Sequence, residues 1–345
     1  MSSFAISSSN GPFLLRDLSL SFSVQFLAIP DIVNASLVCK GWNQFYQAQN
    51  LWKALSKKEG IPLVSGEERD YRQDFKTLYP ITISSKIIGQ FFGRVIGKVP
   101  PISEERFNSL KKQDPFDEKK SIRDNYVFIV VPSQVARTVD NETPLVLNDS
   151  GNLIEPPKQE TKRIKLLEKS TTEKQEIIIR FSLKNLKMLS EHPLKGKENM
   201  PIFNEYSSNS SNEVFGPFDT RSYQNVTVYF MRKCVIEQSR GKSYADQEEL
   251  VKSQGFEVTP LMVRALFDAV GILKDGICPD AHDPLTYVRT SDTVYIGNSV
   301  YDMGIGGFAP SAGVSVYYGY DDDIDIGVVP GCPAEASAKA PSSDI

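Results

Sequence analysis

The sequence predicts a multidomain chain: a short N-terminal unit of three helices, then a longer α+β region with mostly antiparallel strands. Three observations lead there. Before residue 60, apolar residues recur at the i, i+3, i+4 spacing of helices packed on one face. After residue 81, short β-type runs are joined by Gly- and Asn-containing turns and interrupted by helical stripes. A chain of 345 residues is long enough for two or three domains and a sizeable core.

The N-terminal unit spans residues 13–56, after a Ser-rich stretch at 1–12. Leu15 to Leu27 reads as a first helix. Pro30 and Asp31 open a second, because Pro cannot extend a preceding helix and Asp accepts orphan backbone N–H groups. Ile32, Ala35 and Leu37 to Cys39 give it an apolar face, which Trp42, Phe45 and Tyr46 continue. Asn50 is placed to cap a third helix that buries Leu51, Trp52 and Leu55 and stops at Gly60. So small a unit has too little interior to bury all of this surface by itself, and the surplus points to a partner or another domain.

The order Pro30-Asp31, then Ser36-Leu37-Val38-Cys39-Lys40-Gly41-Trp42, then Leu51-Trp52, resembles the F-box. Through this module, substrate receptors join cullin–RING ubiquitin ligases. F-boxes usually open with Leu-Pro and an acidic residue, and here the matching place reads Leu15-Arg16-Asp17. The resemblance implies that Leu18, Phe22, Phe26, Leu27, Pro30, Leu37, Val38 and Trp42 meet a Skp-type adaptor. It also implies that Ile32, Cys39, Phe45, Leu51, Trp52 and Leu55 form the module's own core. Apolar burial at roughly 25 cal/mol per Å2 drives such docking, less the ordering costs of association.

Residues 57–80 follow as a linker and a bracing helix: Glu67 to Leu78, with Tyr71, Phe75 and Leu78 on one face and Pro80 closing it. A central α+β region is expected over residues 81–235. Lys86 to Val99 alternates apolar residues with Gly89, Gly93 and Gly97, but charges interrupt it, and it is neither a membrane packing motif nor a phosphate loop. Ser103 to Phe107 starts a helix with acidic residues at its dipole-positive end. Tyr126 to Val131 and Ile177 to Ile179 read as strands, and 145–147 with 153–154 as a hairpin. Asn225 to Cys234 reads as a half-buried strand, with Val226, Val228 and Phe230 facing inward.

A C-terminal α+β region is expected over residues 236–320. Tyr244 to Ser253 is helical, and a second helix opens with Thr259 as cap and Pro260 in the first turn, followed by the stripe Met262, Leu266, Ala269, Val270 and Leu273. Gly297-Asn298 turns a hairpin between 293–296 and 299–301, a Gly-rich stretch runs from Gly304 to Gly313, and Val314 to Tyr318 closes the region. Residues 321–345 have the acidic, then Ala-, Pro- and Ser-rich bias of a disordered tail.

Composition narrows the function classes. A net charge of −4 and a pI near 5.5 argue against nucleic-acid binding as the main business. Cys39, Cys234, Cys278 and Cys332 form no Cys-x-x-Cys pair, which suits a reducing compartment and rules out a zinc ribbon. No apolar run reaches the roughly 20 residues of a membrane helix, and no basic residue precedes the apolar part of the N-terminus as in a secretory signal. His192 reads as a solvated loop residue. Cys278 to Pro284, with His282, gathers Cys, His and Asp, but two Pro residues make it a rigid surface loop rather than a catalytic or metal site. Asp321, Asp322, Asp323 and Asp325 lack the Gly turn and terminal Glu of a calcium loop. No metal, cofactor or catalytic residue is expected.

Two further stretches resemble, together with the F-box, the F-box proteins of chlamydia-like bacteria living inside amoebae. One is Ile96 to Pro101; the other runs from Gly255-Phe256 through Arg264-Ala265-Leu266-Phe267 to Tyr287-x-Arg289-Thr290-Ser291. This implies a secreted, non-enzymatic effector that passes from the bacterial cytoplasm to the host cytosol. There it joins a Skp-type adaptor and cullin complex and presents a target protein through the region after residue 81. The rival readings are a Cys-dependent hydrolase or transferase in residues 200–320 that uses the F-box as a docking handle, and a module that sequesters its partner without ubiquitination.

Overall fold

The computed structural model describes residues 29, 47–139, 146–147, 153–154, 175–195, 203–205, 223–276, 287–296, 298–309, 313–319 and 326–335. Helix α1 (Gln49–Glu59) turns Leu51, Trp52 and Leu55 inward. It ends at Gly60, left-handed at φ 67°, where the Ile61 N–H returns to the Ser56 carbonyl at 2.8 Å. A Cβ at Gly60 would lie 2.0 Å from the Ser85 hydroxyl, so close chain packing as well as backbone conformation requires glycine there. Helix α2 (Tyr71–Leu78) follows, then a 3-10 turn at Tyr79–Ile81. Next come β1 (Thr82–Ile83), α3 (Ser85–Phe91), β2 (Arg94–Ile96) and α4 (Glu104–Ser109). The hairpin β3 (Gln113–Asp114) and β4 (Asp117–Ser121) leads through α5 (Ile122–Asn125) into β5 (Tyr126–Val131) and β6 (Gln134–Val139).

The chain continues through β7 (Val146–Leu147), β8 (Leu153–Ile154), β9 (Gln175–Arg180), α6 (Leu183–Glu191), β10 (Phe203–Glu205) and β11 (Thr227–Arg232). Helix α7 (Tyr244–Lys252), β12 (Glu257–Val258) and α8 (Leu261–Asp275) precede the last strands. These are β13 (Tyr287–Ile296), β14 (Ser299–Ala309), β15 (Gly313–Gly319), β16 (Ile326–Val328) and β17 (Pro330–Pro333).

The strands form an α+β fold with two five-stranded sheets, ordered β1-β5-β11-β17-β12 and β10-β15-β14-β13-β16, beside a three-stranded sheet β2-β6-β9. Pairing is mostly antiparallel, the exceptions among the described residues being β1–β5, β10–β15 and β13–β16. Rings layer one face of the first sheet: Phe230 lies 4.9 Å from Tyr126 and 4.6 Å from Phe128. Helix α8 packs against β5 in this sheet, against β13 and β14 in the second, and against α3 and α6. That position explains why it is buried beyond its expected stripe, down to the ion pair Arg264–Asp268 at 2.8 Å within the helix. Buried apolar residues make one contiguous cluster from Leu51 to Ala334.

Several expectations are corrected. Asn50 is not the cap of α1; Ala48 holds that position and offers no side-chain bond. Helix α2 starts at Tyr71 instead of Glu67, because Asp70 accepts from the Arg72 and Gln73 N–H groups at 3.1 and 3.2 Å, and Glu68 stands at φ 51°. Strand β11 is buried on both faces, with Tyr229 and Met231 buried beside Val228 and Phe230. Pro260, not Thr259, is the cap residue of α8, and the Leu261 N–H is met by the Asp292 carboxylate at 2.7 Å. The Gly-rich stretch from Gly304 is strand as far as Ala309. Gly304 is required there because its partner Tyr317 fills the space, with Cζ 2.4 Å from where a Cβ would sit. Finally, residues 326–335 do not belong to a disordered tail: β17 is inserted between β11 and β12.

Candidate functional site

Of the residues expected to build the N-terminal module, Leu51, Trp52 and Leu55 are brought together on α1, each at most 1% exposed. Trp52 packs on Phe75 of α2 with ring centroids 5.4 Å apart, so α2 braces α1 as its aromatic stripe predicts. Leu18, Phe22, Phe26, Leu27, Pro30, Ile32, Leu37, Val38, Cys39, Trp42 and Phe45 lie outside the described residues. Ile29, just before Pro30, is partly buried against the common core.

A groove of about 760 Å3 adjoins the end of α1, between α3 and α8 and beside the edge strand β1. Ile83 and Ile87 on one side, Val127 below, and Phe267 with Val270 on the other give it an apolar lining. Its rim carries Glu59, Lys86, Lys233, Lys274 and Asp275. Lys86 Nζ reaches both oxygens of Glu59 at 2.7 and 2.8 Å, tying the end of α1 to α3. Lys233 is positioned by its backbone: its N–H donates to the Asn125 carbonyl at 2.8 Å, and its own carbonyl accepts from Arg264 at 2.9 Å. Its ammonium donates to the Asp124 carbonyl at 2.8 Å, and burial holds its pKa below the ordinary lysine value.

Such a groove suits an amphipathic segment, with its apolar side on the isoleucines and valines and its polar groups among the lysines. Nothing in the linear sequence brings Glu59, Lys86 and Lys233 to one groove, since they come from separate elements of the fold. No family model, curated protein or solved structure matches the chain. The groove and the residues around it are therefore read from their chemistry alone.

The other candidate sites resolve as follows. His192 is exposed beyond the end of α6, and its carbonyl accepts from Arg137. Cys278, His282 and the acidic run Asp321 to Asp325 lie outside the described residues. Among the described residues, no group of three His, Cys, Asp or Glu side chains is placed to hold a metal, and no helix is long and apolar enough to cross a membrane. A dense polar cluster is buried between the β3–β4 hairpin and β11. Asp114 accepts from Asn125 Nδ2 at 2.6 Å, Arg232 Nε at 3.2 Å and the Phe116 N–H at 3.0 Å. Arg232 spends another donor on the Cys234 and Val235 carbonyls at 2.9 and 2.7 Å. This network fastens the hairpin to the sheet, and its 1% exposed carboxylate offers nothing to solvent.

Proposed function

We propose that the chain is a substrate receptor of a cullin–RING ubiquitin ligase. Its N-terminal helices dock on a Skp-type adaptor, and the α+β body presents a target protein. The reading extends to a secreted bacterial effector acting in the host cytosol. The observation that carries it is the residue pattern from Pro30 to Trp52, with its third helix folded and its tryptophan buried. The attachment of that helix adds support. A receptor must hold its target at a fixed place relative to the adaptor, and α1 is fixed to the body by the Trp52–Phe75 contact and the Glu59–Lys86 ion pair. The groove between α3 and α8 begins at that ion pair and is the concave surface offered for a target segment. No catalytic residue is needed, since the chemistry belongs to the RING and conjugating enzymes.

The test is binding of the full chain to a purified Skp-type adaptor, beside a Leu37→Asp, Val38→Asp variant. Charges placed on the proposed docking face would be left unpaired, at a cost of about 3–5 kcal/mol. Micromolar or tighter binding that is lost in a variant with wild-type circular dichroism supports the receptor. A folded wild-type chain that does not bind the adaptor refutes it.

A further inference from the structure

The charged groups on the rim of the groove between α3 and α8 are not equivalent. Lys86 and Glu59 neutralise each other, with both carboxylate oxygens engaged. That leaves two cations, Lys233 and Lys274, against one anion, Asp275. Lys274 and Asp275 are exposed at the end of α8, whereas Lys233 is half-buried. The Lys233 ammonium meets a neutral carbonyl, that of Asp124, whose carboxylate accepts from the Ser121 hydroxyl at 2.6 Å. Among the described residues, no carboxylate forms an ion pair with Lys233 or Lys274. A partly buried cation draws an anion more strongly than an exposed one, because less water screens it.

The apolar walls leave room for a guest. On α8, Phe267, Val270, Gly271 and Lys274 stand at i, i+3, i+4 and i+7 and line the groove together. Gly271 lies in the interior of this helix, where glycine is less stable than alanine. Its missing side chain keeps the wall open between Phe267 and Lys274. On the rim, Tyr79 is 46% exposed yet held by stacking on Phe75 of α2, with ring centroids 5.1 Å apart. Pro80 beside it is exposed as well. An exposed aromatic ring fixed in advance suits a chain that runs out of the groove better than a ligand enclosed by it. We infer that the groove takes an acidic amphipathic segment of a partner protein. Its apolar side chains lie between Ile87 and Gly271, a carboxylate reaches Lys233, and the chain continues over Tyr79. A basic segment would instead set like charge against Lys233, which excludes it. That the segment belongs to a ligase target rests on the receptor reading; its binding does not.

Fluorescence polarisation with the full chain tests this. The probes are short labelled peptides with leucines in i, i+3, i+4, i+7 register and glutamate, glutamine or lysine at the other positions. The glutamate peptide should bind at about 1–100 μM, and about tenfold or more tighter than the lysine peptide. Lys233→Met should weaken the glutamate peptide about tenfold and leave the glutamine peptide nearly unchanged, a split that a merely structural role would not give. Gly271→Leu should fill the groove and abolish binding of both, with circular dichroism confirming that the variants are folded. A glutamate peptide that does not bind, binds no better than the lysine peptide, or is indifferent to Lys233→Met overturns the inference. So does decanoate that binds where no peptide does, which would assign the groove to a free amphiphile. Adaptor binding by the same chain is a separate measurement. Its absence refutes the receptor and leaves the preference of the groove standing, whereas failure of the peptides leaves adaptor docking untouched.

Discussion

At Cys332, burial replaces reactivity with a pH dependence of stability. The residue is 5% exposed, opposite Phe230 in the first sheet, and burial pushes its thiol up to about 12, while nearby Arg106 pulls the other way. A thiol held protonated is a poor nucleophile. In the unfolded chain the same thiol ionises near ~8.5. The sign follows directly: above that pH the unfolded state gives up a proton that the folded state keeps. Stability is therefore whole below pH ~8.5 and falls as pH rises toward 12. Burial also raises the Tyr126 and Tyr229 hydroxyls, which add to the decline above pH ~10, where an unfolded tyrosine ionises. Urea unfolding at stepped pH should show this decline, and Cys332→Ala should remove the part below pH ~10. An unchanged slope in that variant would mean that the thiol ionises as freely in the folded chain.

Elements were legible in the sequence wherever their side chains carried the information. β5 is a continuous apolar run at 126–131, and α8 has its helical spacing within the structure's 261–275. The pairing of Ile296 with Ser299 bears out the hairpin between 293–296 and 299–301. Strand β17 was not legible, because Pro330-Gly-Cys-Pro333 has neither β propensity nor period, and its place is set by backbone pairing to β11 and β12 on either side. The groove was equally hidden, since Glu59 and Lys86 come from different helices, 27 positions apart. The start of α8 shows the same limit. Local rules choose Thr259 as its cap, yet among the described residues Thr259 Oγ1 is buried without a partner, and Asp292 meets the Leu261 N–H from 31 residues downstream. Asp292→Ala should then cost about 0.5–2 kcal/mol in thermal unfolding, whereas Asp292→Asn, which keeps an acceptor oxygen, should lose much less. Equal losses in the two variants would show that the carboxylate acts there as a charge and not as a cap.

At the scale of the whole molecule, the question is whether α1 and the unit proposed to dock melt apart from the body. A boundary after residue 56 would let them do so, because so small a unit has a core of its own that is easily lost. Leu51, Trp52 and Leu55 instead enter the same buried cluster as β5, β11 and α8, and a core without a seam unfolds as one unit. Both tryptophans lie before residue 57, so fluorescence reports on the N-terminal part, while far-UV circular dichroism is dominated by the body. With Trp42→Phe leaving Trp52 as the sole fluorophore, the two probes should give coincident urea transitions. Trp52→Ala, followed by circular dichroism alone, should lower the stability of the whole chain by about 3–5 kcal/mol, as expected for emptying a buried indole site. An earlier fluorescence transition, or a body whose melting ignores Trp52→Ala, would separate α1 energetically from the fold. The groove would then have no rigid link to the helices proposed to dock, and the receptor geometry would lose its physical basis.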